Sequence, residues 1–220
     1  MCGRFTLATH PIKLAEVFDL DEPPPEIRPR YNVAPSQKVA VVARRANGQR
    51  GLRLIQWGLI PHWADSTAGN FRPINAKAET VAQLPTFRES FLHKRCLIPA
   101  DGFYEWRIEG KARQPFHFRL QVGGPFAFAA IWDVWQDDAV TVASTALLTT
   151  TPNDVVRPVH NRMPVILPRE AYVTWLEPNT PAEVLQSLLV PFTAEHMESV
   201  AVSKSVNSPK NDAPELLNSA

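Results

Sequence analysis

Residues 95–150 decide the fold of this 220-residue chain and read RCLIPADGFYEWRIEGKARQPFHFRLQVGGPFAFAAIWDVWQDDAVTVASTALLTT. The stretch contains five short apolar or alternating runs: RCLIPA, GFYEWRI, PFHFRLQV, FAFAAIWDVW and TVASTALLTT. Gly, Pro or charged residues separate the runs, and aromatic and β-branched residues fill them, which is the pattern of β-strands. The sequence therefore predicts a β-rich middle.

The N-terminal part adds a helix and a hairpin to this sheet. KVAVVARR (38–45) and GLRLIQWG (51–58) are predicted to be strands joined by a turn at Asn47 and Gly48. IKLAEVFDL (12–20) is predicted to be a capped helix with Pro11 near its first turn and Ile12, Ala15 and Phe18 on one face. The Pro-rich stretch 22–36 predicts an ordered loop without regular structure.

The remaining segments predict short peripheral elements. AETVAQLP (78–85) is expected to be helical and to end at its proline, and REAYVTWL (169–176) to be a helix. Thr180 to Glu183 have the pattern of a capping box that opens a helix over VLQSLL (184–189). ESVAVSKSV (198–206) predicts a last strand, and residues from about 208 to 220 a loose tail. Together these predict one α+β domain over 1–220, with a compact, mainly antiparallel, barrel-like β core and peripheral helices.

Composition excludes several classes of protein. Hydrophobic residues make up 45% of the chain and charged residues 20%, as in ordinary globular proteins. No apolar run of about 18 residues and no secretory signal is present, so we expect no membrane partner and a cytoplasmic location, or a nuclear one in a eukaryote. The two cysteines, Cys2 and Cys96, lack the spacing of a zinc motif, so we expect no metal, no cofactor and no disulfide.

Charge is distributed unevenly along the chain. The formal net charge is +1, but residues 1–120 hold 18 Lys and Arg against 11 Asp and Glu, whereas residues 121–220 hold 5 against 11. This asymmetry indicates one basic surface with an acidic back. The alternative is a solvated mixture of charges with no partner.

Cys2 is the position with the most distinctive chemistry. Removal of Met1 would leave one residue with both an α-amine and a thiol, whose ordinary pKa values of about 7.7–8.0 and about 8.5 give each some nucleophilic form near neutral pH. With an aldehyde, such an aminothiol forms an imine and then a five-membered thiazolidine. Alternatively, Cys2 packs as a small hydrophobic residue.

Other candidate residues occur near aromatic or basic neighbours. Arg4 suits a phosphate, Asn75 lies at an element boundary where an amide could orient an amine, and Glu105 lies among aromatics that could raise its pKa. His160 is a candidate proton shuttle between Arg157 and Arg162.

Each candidate also has an ordinary interpretation. The amide could cap a helix, Glu105 could form an exposed salt bridge to Arg107 or Lys111, and His160 could be an inert loop residue. Trp63 could stack on a base, or it could be core. Lipase, P-loop and Rossmann motifs are absent from the sequence.

An ordered set of motifs resembles the SRAP family, the SOS-response-associated peptidase proteins that shield abasic sites. The motifs are MCGRF (1–5), RYNVAP (30–35), WGLIPHW (57–63), INAKAET (74–80), RCLIPADGFYEW (95–106), HNRMP (160–164) and VN (206–207). They span nearly the whole chain. The resemblance implies a single mainly β α+β domain with a basic channel for single-stranded DNA.

The resemblance also implies roles for individual residues. Cys2 would be the nucleophile that links covalently to abasic sites in single-stranded DNA through a thiazolidine, as part of the DNA damage response. Asn75 would orient its amine, and Glu105 and His160 would be the acid and base. The residues expected to contact DNA are Arg4, Trp63, Lys77, Trp106 and Arg162. Lys77 stands where Arg is common in this family, so its phosphate contact loses the bidentate fork.

Alternative functions remain open at this stage. Cys2 could be the nucleophile of a peptidase or amidohydrolase, since glutamine amidotransferases also begin with a similar Met-Cys-Gly. Self-removal of Met1 would be the mildest form of this activity and can coexist with cross-linking. Lyase-like activity at abasic sites is a separate expectation. A non-covalent module that binds single-stranded DNA is the third alternative. A monomer is expected in each case.

Overall fold

The computed structural model describes residues 2–66, 72–110 and 112–220. The strands are β1 Phe5–Leu7, β2 Arg30–Val33, β3 Lys38–Arg44, β4 Arg50–Trp57, β5 Asn75–Lys77, β6 Arg95–Ala100, β7 Gly102–Glu109, β8 Ala112–Leu120, β9 Phe126–Gln136, β10 Thr141–Thr150, β11 Met163–Pro164, β12 Ile166–Leu167 and β13 Met197–Ala201. The α-helices are α1 Pro11–Phe18, α2 Pro85–His93, α3 Tyr172–Leu176 and α4 Ala182–Ser187. Short 3-10 helices cover Arg169–Ala171, Ala194–His196, Lys204–Asn207 and Pro214–Leu217.

A closed ring of five strands forms the centre of the molecule. The order is β10-β4-β3-β6-β9, and β9 returns to pair with β10. All of these pairs are antiparallel except that of β10 with β4. The registers place Cys96, Ala130, Leu147 and Trp57 on the inward face, and each of these side chains is fully buried. The predicted barrel-like, mainly antiparallel α+β fold is confirmed.

A second antiparallel sheet packs against the ring, with the strand order β13-β8-β7-β1-β2. The buried Phe5 in β1 joins the two sheets, because its ring lies 5.4 Å from that of Trp57 and 5.8 Å from that of Phe128. Stacked Phe103 and Phe118, 5.0 Å apart, continue this aromatic core. Such pairs add stability beyond the area they bury.

The hairpin and the strands of residues 95–150 lie where the sequence predicts them. The predicted loop over 22–36 is wrong at Arg30–Val33, which form β2, and the last strand ends at Ala201. Three helical details also differ. In α1 the buried residues are Leu14 and Phe18, whereas Ile12 is 65% exposed. Residues 78–83 form turns, and an α-helix begins at Pro85, where the sequence predicted an end. A proline suits the first position of a helix because its missing N–H is not needed there.

The predicted capping box is also wrong. The Thr180 hydroxyl donates to the carbonyl of Thr174 instead of capping α4, and Pro181 occupies the cap position without a side-chain bond.

The C-terminal segment is ordered, against the expectation of a loose tail. Asp212 accepts a hydrogen bond from Arg30 and from the backbone N–H groups of Tyr31 and Asn32. Leu216 is buried, and Ser219 forms a β-bridge with Val202. Within the described residues, no helix is long and apolar enough to cross a membrane.

Candidate active site

Cys2 lies where the second sheet meets the strands of the ring. It precedes β1, and its side chain is fully buried. The Nδ2 atom of Asn75, on β5, donates a hydrogen bond of 2.9 Å to the backbone carbonyl of Cys2. Asn75 therefore contacts Cys2 through the carbonyl oxygen, and its role in orienting the amine stays a prediction. Its Oδ1 atom is buried and accepts no hydrogen bond from the described residues.

Glu105 faces the same place from β7. Phe5 pairs with Phe103 in the antiparallel register, so continuing that register places Glu105 opposite Gly3. Its side chain is buried, and desolvation raises the pKa of this carboxyl to about 7. At neutral pH it therefore exists in both protonation states, as an acid–base group requires.

The alternative of an exposed salt bridge for Glu105 is wrong for Arg107, which pairs with Glu109 instead. Lys111, the other suggested partner, lies outside the described residues.

His160 completes the group of titratable side chains. Its Nδ1 atom lies 3.0 Å from the backbone nitrogen of Arg162 and 3.1 Å from the Arg162 carbonyl oxygen, so it accepts from the first in one tautomer and donates to the second in the other. Its Nε2 atom lies 3.9 Å from Oε2 of Glu105. Burial lowers the pKa of His160, so the imidazole is neutral around pH 7.

The thiol of Cys2 is held in its protonated form. Burial raises its pKa well above the ordinary value, and the Glu105 carboxylate raises it further. The thiol therefore loses its proton only when a base is present and an electrophilic carbon is available for the sulfur to attack. A free thiolate, which an amide-cleaving nucleophile needs, is disfavoured here.

Arg4 and Trp106 form one wall of a surface depression beside Cys2. The Nη1 atom of Arg4 donates 2.9 Å hydrogen bonds to Oδ1 of Asn32 and to the carbonyl of Val206. Trp106 donates from Nε1 to Oδ1 of Asn207, at 2.7 Å. The Arg4 guanidinium lies 6.0 Å from the centre of the Trp106 ring. The depression encloses about 410 Å³ and is lined by Gly3, Arg4, Pro35, Trp106, Arg113 and Asn207.

Three of these neighbours were not singled out from the sequence. Arg113 adds a second guanidinium to the depression, and Asn32 and Asn207 hold Arg4 and Trp106 in place. The signal for the two asparagines was present, because both lie inside the quoted motifs RYNVAP and VN. Arg113 lies between motifs and carried no signal.

Lys77 and Arg162 lie near the same end of β10. Lys77 ends β5 opposite Thr149 and is exposed. Arg162 donates to both carboxylate oxygens of Glu79, at 2.6 and 2.9 Å, and to the carbonyl of Thr149. Arg162 is therefore fixed in place by protein contacts, while Lys77 extends into solvent.

Trp63 is separate from this cluster. It is 56% exposed in a turn. The carbonyl of Ala64 accepts a bond from Trp135, and Asp133 binds both the N–H and the ring of His62. The alternative that Trp63 belongs to the core is therefore wrong. Its contact with DNA stays a prediction.

No group of three His, Cys, Asp or Glu side chains that could hold a metal ion occurs in the part of the chain that is described. The structure brings four of the predicted residues together: Cys2, Asn75, Glu105 and His160. Arg4 and Trp106 lie beside this group, and Lys77 and Arg162 lie around the end of β10.

Comparison with known proteins identifies the class to which this fold and site belong. The model of the SOS response associated peptidase (SRAP) family matches residues 1–209, and the chain belongs to that family. Abasic site processing protein YoqW of Bacillus subtilis is 43% identical over 224 residues, covering 100% of both chains. Abasic site processing protein YedK of Escherichia coli is 32% identical, covering 99% of both.

Other similar proteins are more distant in sequence. Abasic site processing protein HMCES of Gallus gallus is 30% identical over 223 residues, which cover 86% of this chain and 66% of that protein. A crystal structure of a Bacteroides thetaiotaomicron protein superposes with a TM-score of 0.90 at 26% identity, covering 100% of both chains.

Proposed function

We propose that this protein, once Met1 is removed, processes abasic sites by linking Cys2 covalently to the open-chain aldehyde of the lesion in single-stranded DNA. The observation that carries the proposal is the placement of Glu105, a buried carboxyl with a pKa of about 7, against the aminothiol residue Cys2. The relatives named abasic site processing proteins support the choice of substrate.

The first step joins the α-amine of Cys2 to C1′ of the deoxyribose. The nitrogen lone pair attacks the aldehyde carbon, the carbonyl oxygen gains a proton, and the nitrogen loses one. The neutral imidazole of His160 is suited to carry that proton, because its pKa is lowered by burial. Asn75 fixes the Cys2 backbone through the carbonyl and thereby sets the direction of the amine.

The second step expels water. Protonated Glu105 gives its proton to the new hydroxyl, the C–O bond breaks, and an iminium forms. In the third step the Cys2 sulfur attacks the iminium carbon and the C=N electron pair returns to nitrogen. The thiol proton passes to the Glu105 carboxylate, so that Glu105 ends protonated, as it began. The net change is the loss of one water.

The high pKa of the thiol fits this order of events. A protonated thiol does not compete with the amine for the aldehyde, and it reacts only when the iminium supplies an electrophile beside it. Ring closure removes the C=N bond through which β-elimination would cut the strand. The product is a lesion shielded from cleavage.

The phosphates on either side of the lesion are assigned to basic groups around Cys2. Arg4 and Arg113 line the depression with Trp106, whose half-buried ring suits stacking on a base. Lys77 and Arg162 lie at the end of β10. Because Arg162 is already paired with Glu79, Lys77 is the more available charge.

Intact-mass measurement of the adduct tests the proposal. The expected mass is that of the chain without Met1, plus the abasic oligonucleotide, minus one water. A peptidase or a non-covalent module leaves the two components separate on a denaturing gel. An adduct that retains Met1 at full yield would overturn the assignment of the amine, because a blocked amine forms no imine.

A further inference from the structure

The five-stranded ring opens to solvent at the end opposite Cys2. A cavity of about 500 Å³ occupies this mouth. Its apolar floor comes from the inward faces of β3, β4, β9 and β10 and consists of Val41, Ala43, Ile55, Trp132, Val134 and Ala143. The volume and the position in a barrel mouth are those of small-molecule sites in proteins.

Guanidinium groups surround this apolar floor. Arg44, Arg45 and Arg53 line the mouth, and no carboxylate among the described residues does. Arg44 and Arg45 pair with Glu177 and Glu22, which lie outside the lining. Arg53 forms no hydrogen-bonded ion pair with any described residue, so its N–H groups are open to a ligand, although its charge also acts on Glu22.

The Arg45 guanidinium packs closely against the backbone of Gly51. A Cβ added to Gly51 would lie 2.5 Å from its Nε atom, so the glycine is what lets the guanidinium lie against β4 at the mouth. The Nε atom is buried and has no hydrogen-bond partner within the described residues. A buried donor without an acceptor is unfavourable, so the Arg45 guanidinium is not fully satisfied, although its Nη1 atom binds Glu22.

From this combination we infer that the barrel mouth binds a small organic carboxylate, with its aliphatic or aromatic part against the apolar floor and its carboxylate against Arg45 and Arg53. The charge of the mouth selects an anion, and the floor selects one with an apolar body. An inorganic anion would leave the floor unfilled, and a neutral hydrocarbon would leave the guanidinium groups unused.

The mouth is remote from the proposed abasic-site chemistry. Strand β10 starts at Thr141, which lines the mouth, and reaches Thr149 beside Arg162 eight residues later. At a rise of about 3.3 Å per residue, the two places are roughly 26 Å apart. The inference therefore stands or falls independently of the function proposed for Cys2.

Calorimetric titration of the whole protein with octanoate and with 1-octanol tests the inference. We expect octanoate to bind at least about tenfold more tightly than octanol, since a charge-assisted hydrogen bond is lost with the alcohol. The double variant R45Q/R53Q should lower octanoate affinity at least about tenfold and leave octanol unaffected. R119Q is the matched control, because Arg119 lies on β8 and pairs with Glu198 away from the mouth.

A second variant tests the cavity itself. A143F should fill the floor and abolish binding of both probes, and circular dichroism verifies that it is folded. Equal affinity for octanoate and octanol, or an equal loss in R119Q, would overturn the inference, as would unchanged binding in folded A143F. Adduct formation with abasic DNA should be the same in R45Q/R53Q as in wild type, so failure here is distinguishable from failure at Cys2.

Discussion

The Nε2 atom of His160 lies 3.9 Å from Oε2 of Glu105, in a pocket where burial shifts both groups toward their neutral forms. The carboxyl pKa rises to about 7 and the imidazole pKa falls. The two pKa values thus change order, because that of the carboxyl ends above that of the imidazole. At neutral pH a proton shared by the pair therefore stays on Glu105, and the neutral ring of His160 is left as the base.

Glu105 should cost stability at high pH. Its folded pKa of about 7 exceeds the ordinary 4.5, so the folded state holds the proton that the unfolded state releases between these values. The free energy of unfolding therefore falls as the pH rises from 4.5 to 7, because of this group. Glu105→Gln should be more stable than wild type at pH 8, by up to roughly 3 kcal/mol, and equal to it near pH 4. Urea unfolding at both pH values measures this.

The same substitution should slow adduct formation by about 10²–10⁴-fold, the usual loss when an acid–base group is removed. Stability and activity then change in opposite directions. A Glu105→Gln protein that is less stable at pH 8, or that reacts at the wild-type rate, would contradict the role given to this carboxyl. The control is Glu109→Gln, at an exposed position on the same strand.

His117 should lower the stability of the fold at low pH, whereas Glu105 lowers it at high pH. It is buried beside Thr6, 3.3 Å from its hydroxyl, and burial lowers its pKa from 6.5 to about 4. The unfolded state therefore binds a proton between pH 6.5 and 4 that the folded state refuses, and stability falls as pH decreases through that window. His117→Gln should flatten the acid side of the stability profile. An unchanged acid slope in this variant would show that His117 is not the group responsible.

Much of the fold follows from the sequence because strands with a buried face carry a local signal. The five runs of residues 95–150 and the hairpin turn at Asn47 and Gly48 lie as predicted. The local sequence predicts short helices less well than it predicts these strands. Pro85 has the same local appearance at either end of a helix, and the turns over 78–83 satisfy their backbone through i to i+3 and i+4 bonds without forming an α-helix.

The ordered C-terminus could not be predicted, because what orders it is distant in sequence. Asp212 and Asn211 bind backbone and side-chain groups of residues 30–32, about 180 positions away. The site was partly predictable. Motif resemblance selected Cys2, Asn75, Glu105 and His160, but not the Asn75 bond to the Cys2 carbonyl or the pairing of Arg162 with Glu79.

Asn32 should affect both the stability of the fold and the geometry of the depression lined by Arg4 and Trp106. Its fully buried amide donates to the carbonyls of Val206, Ser208 and Asn211, and its Oδ1 accepts from Arg4. Asn32→Ala leaves these groups unsatisfied, so it should lower the free energy of unfolding by about 2–4 kcal/mol.

The same variant should weaken binding of single-stranded DNA, because Arg4 loses its support. Thermal unfolding and fluorescence anisotropy measure the two effects. Ser205→Ala, whose hydroxyl is exposed in the same segment, is the control. Wild-type stability in Asn32→Ala would mean that the C-terminal segment is held by other contacts.

Lys77 should contribute one phosphate contact. Each cation that neutralises a phosphate releases counterions, so Lys77→Ala should reduce the slope of log affinity against log salt by about 0.7 to 1. Lys77→Arg should keep the slope and can gain a bidentate bond. Lys13, exposed on α1 and paired with Glu16, supplies the control variant. If Lys77→Ala and Lys13→Ala change the slope equally, Lys77 has no specific contact.

The most direct test of the central claim compares wild type with Cys2→Ala on abasic single-stranded DNA, with and without borohydride, on a denaturing gel. Cys2→Ala keeps the α-amine, so it should form an imine that survives only after reduction and that otherwise nicks the strand. Wild type should give a heat-stable adduct without any reductant, because ring closure by sulfur removes the C=N bond. A heat-stable adduct of Cys2→Ala formed without borohydride, at the wild-type yield, would contradict the thiazolidine mechanism.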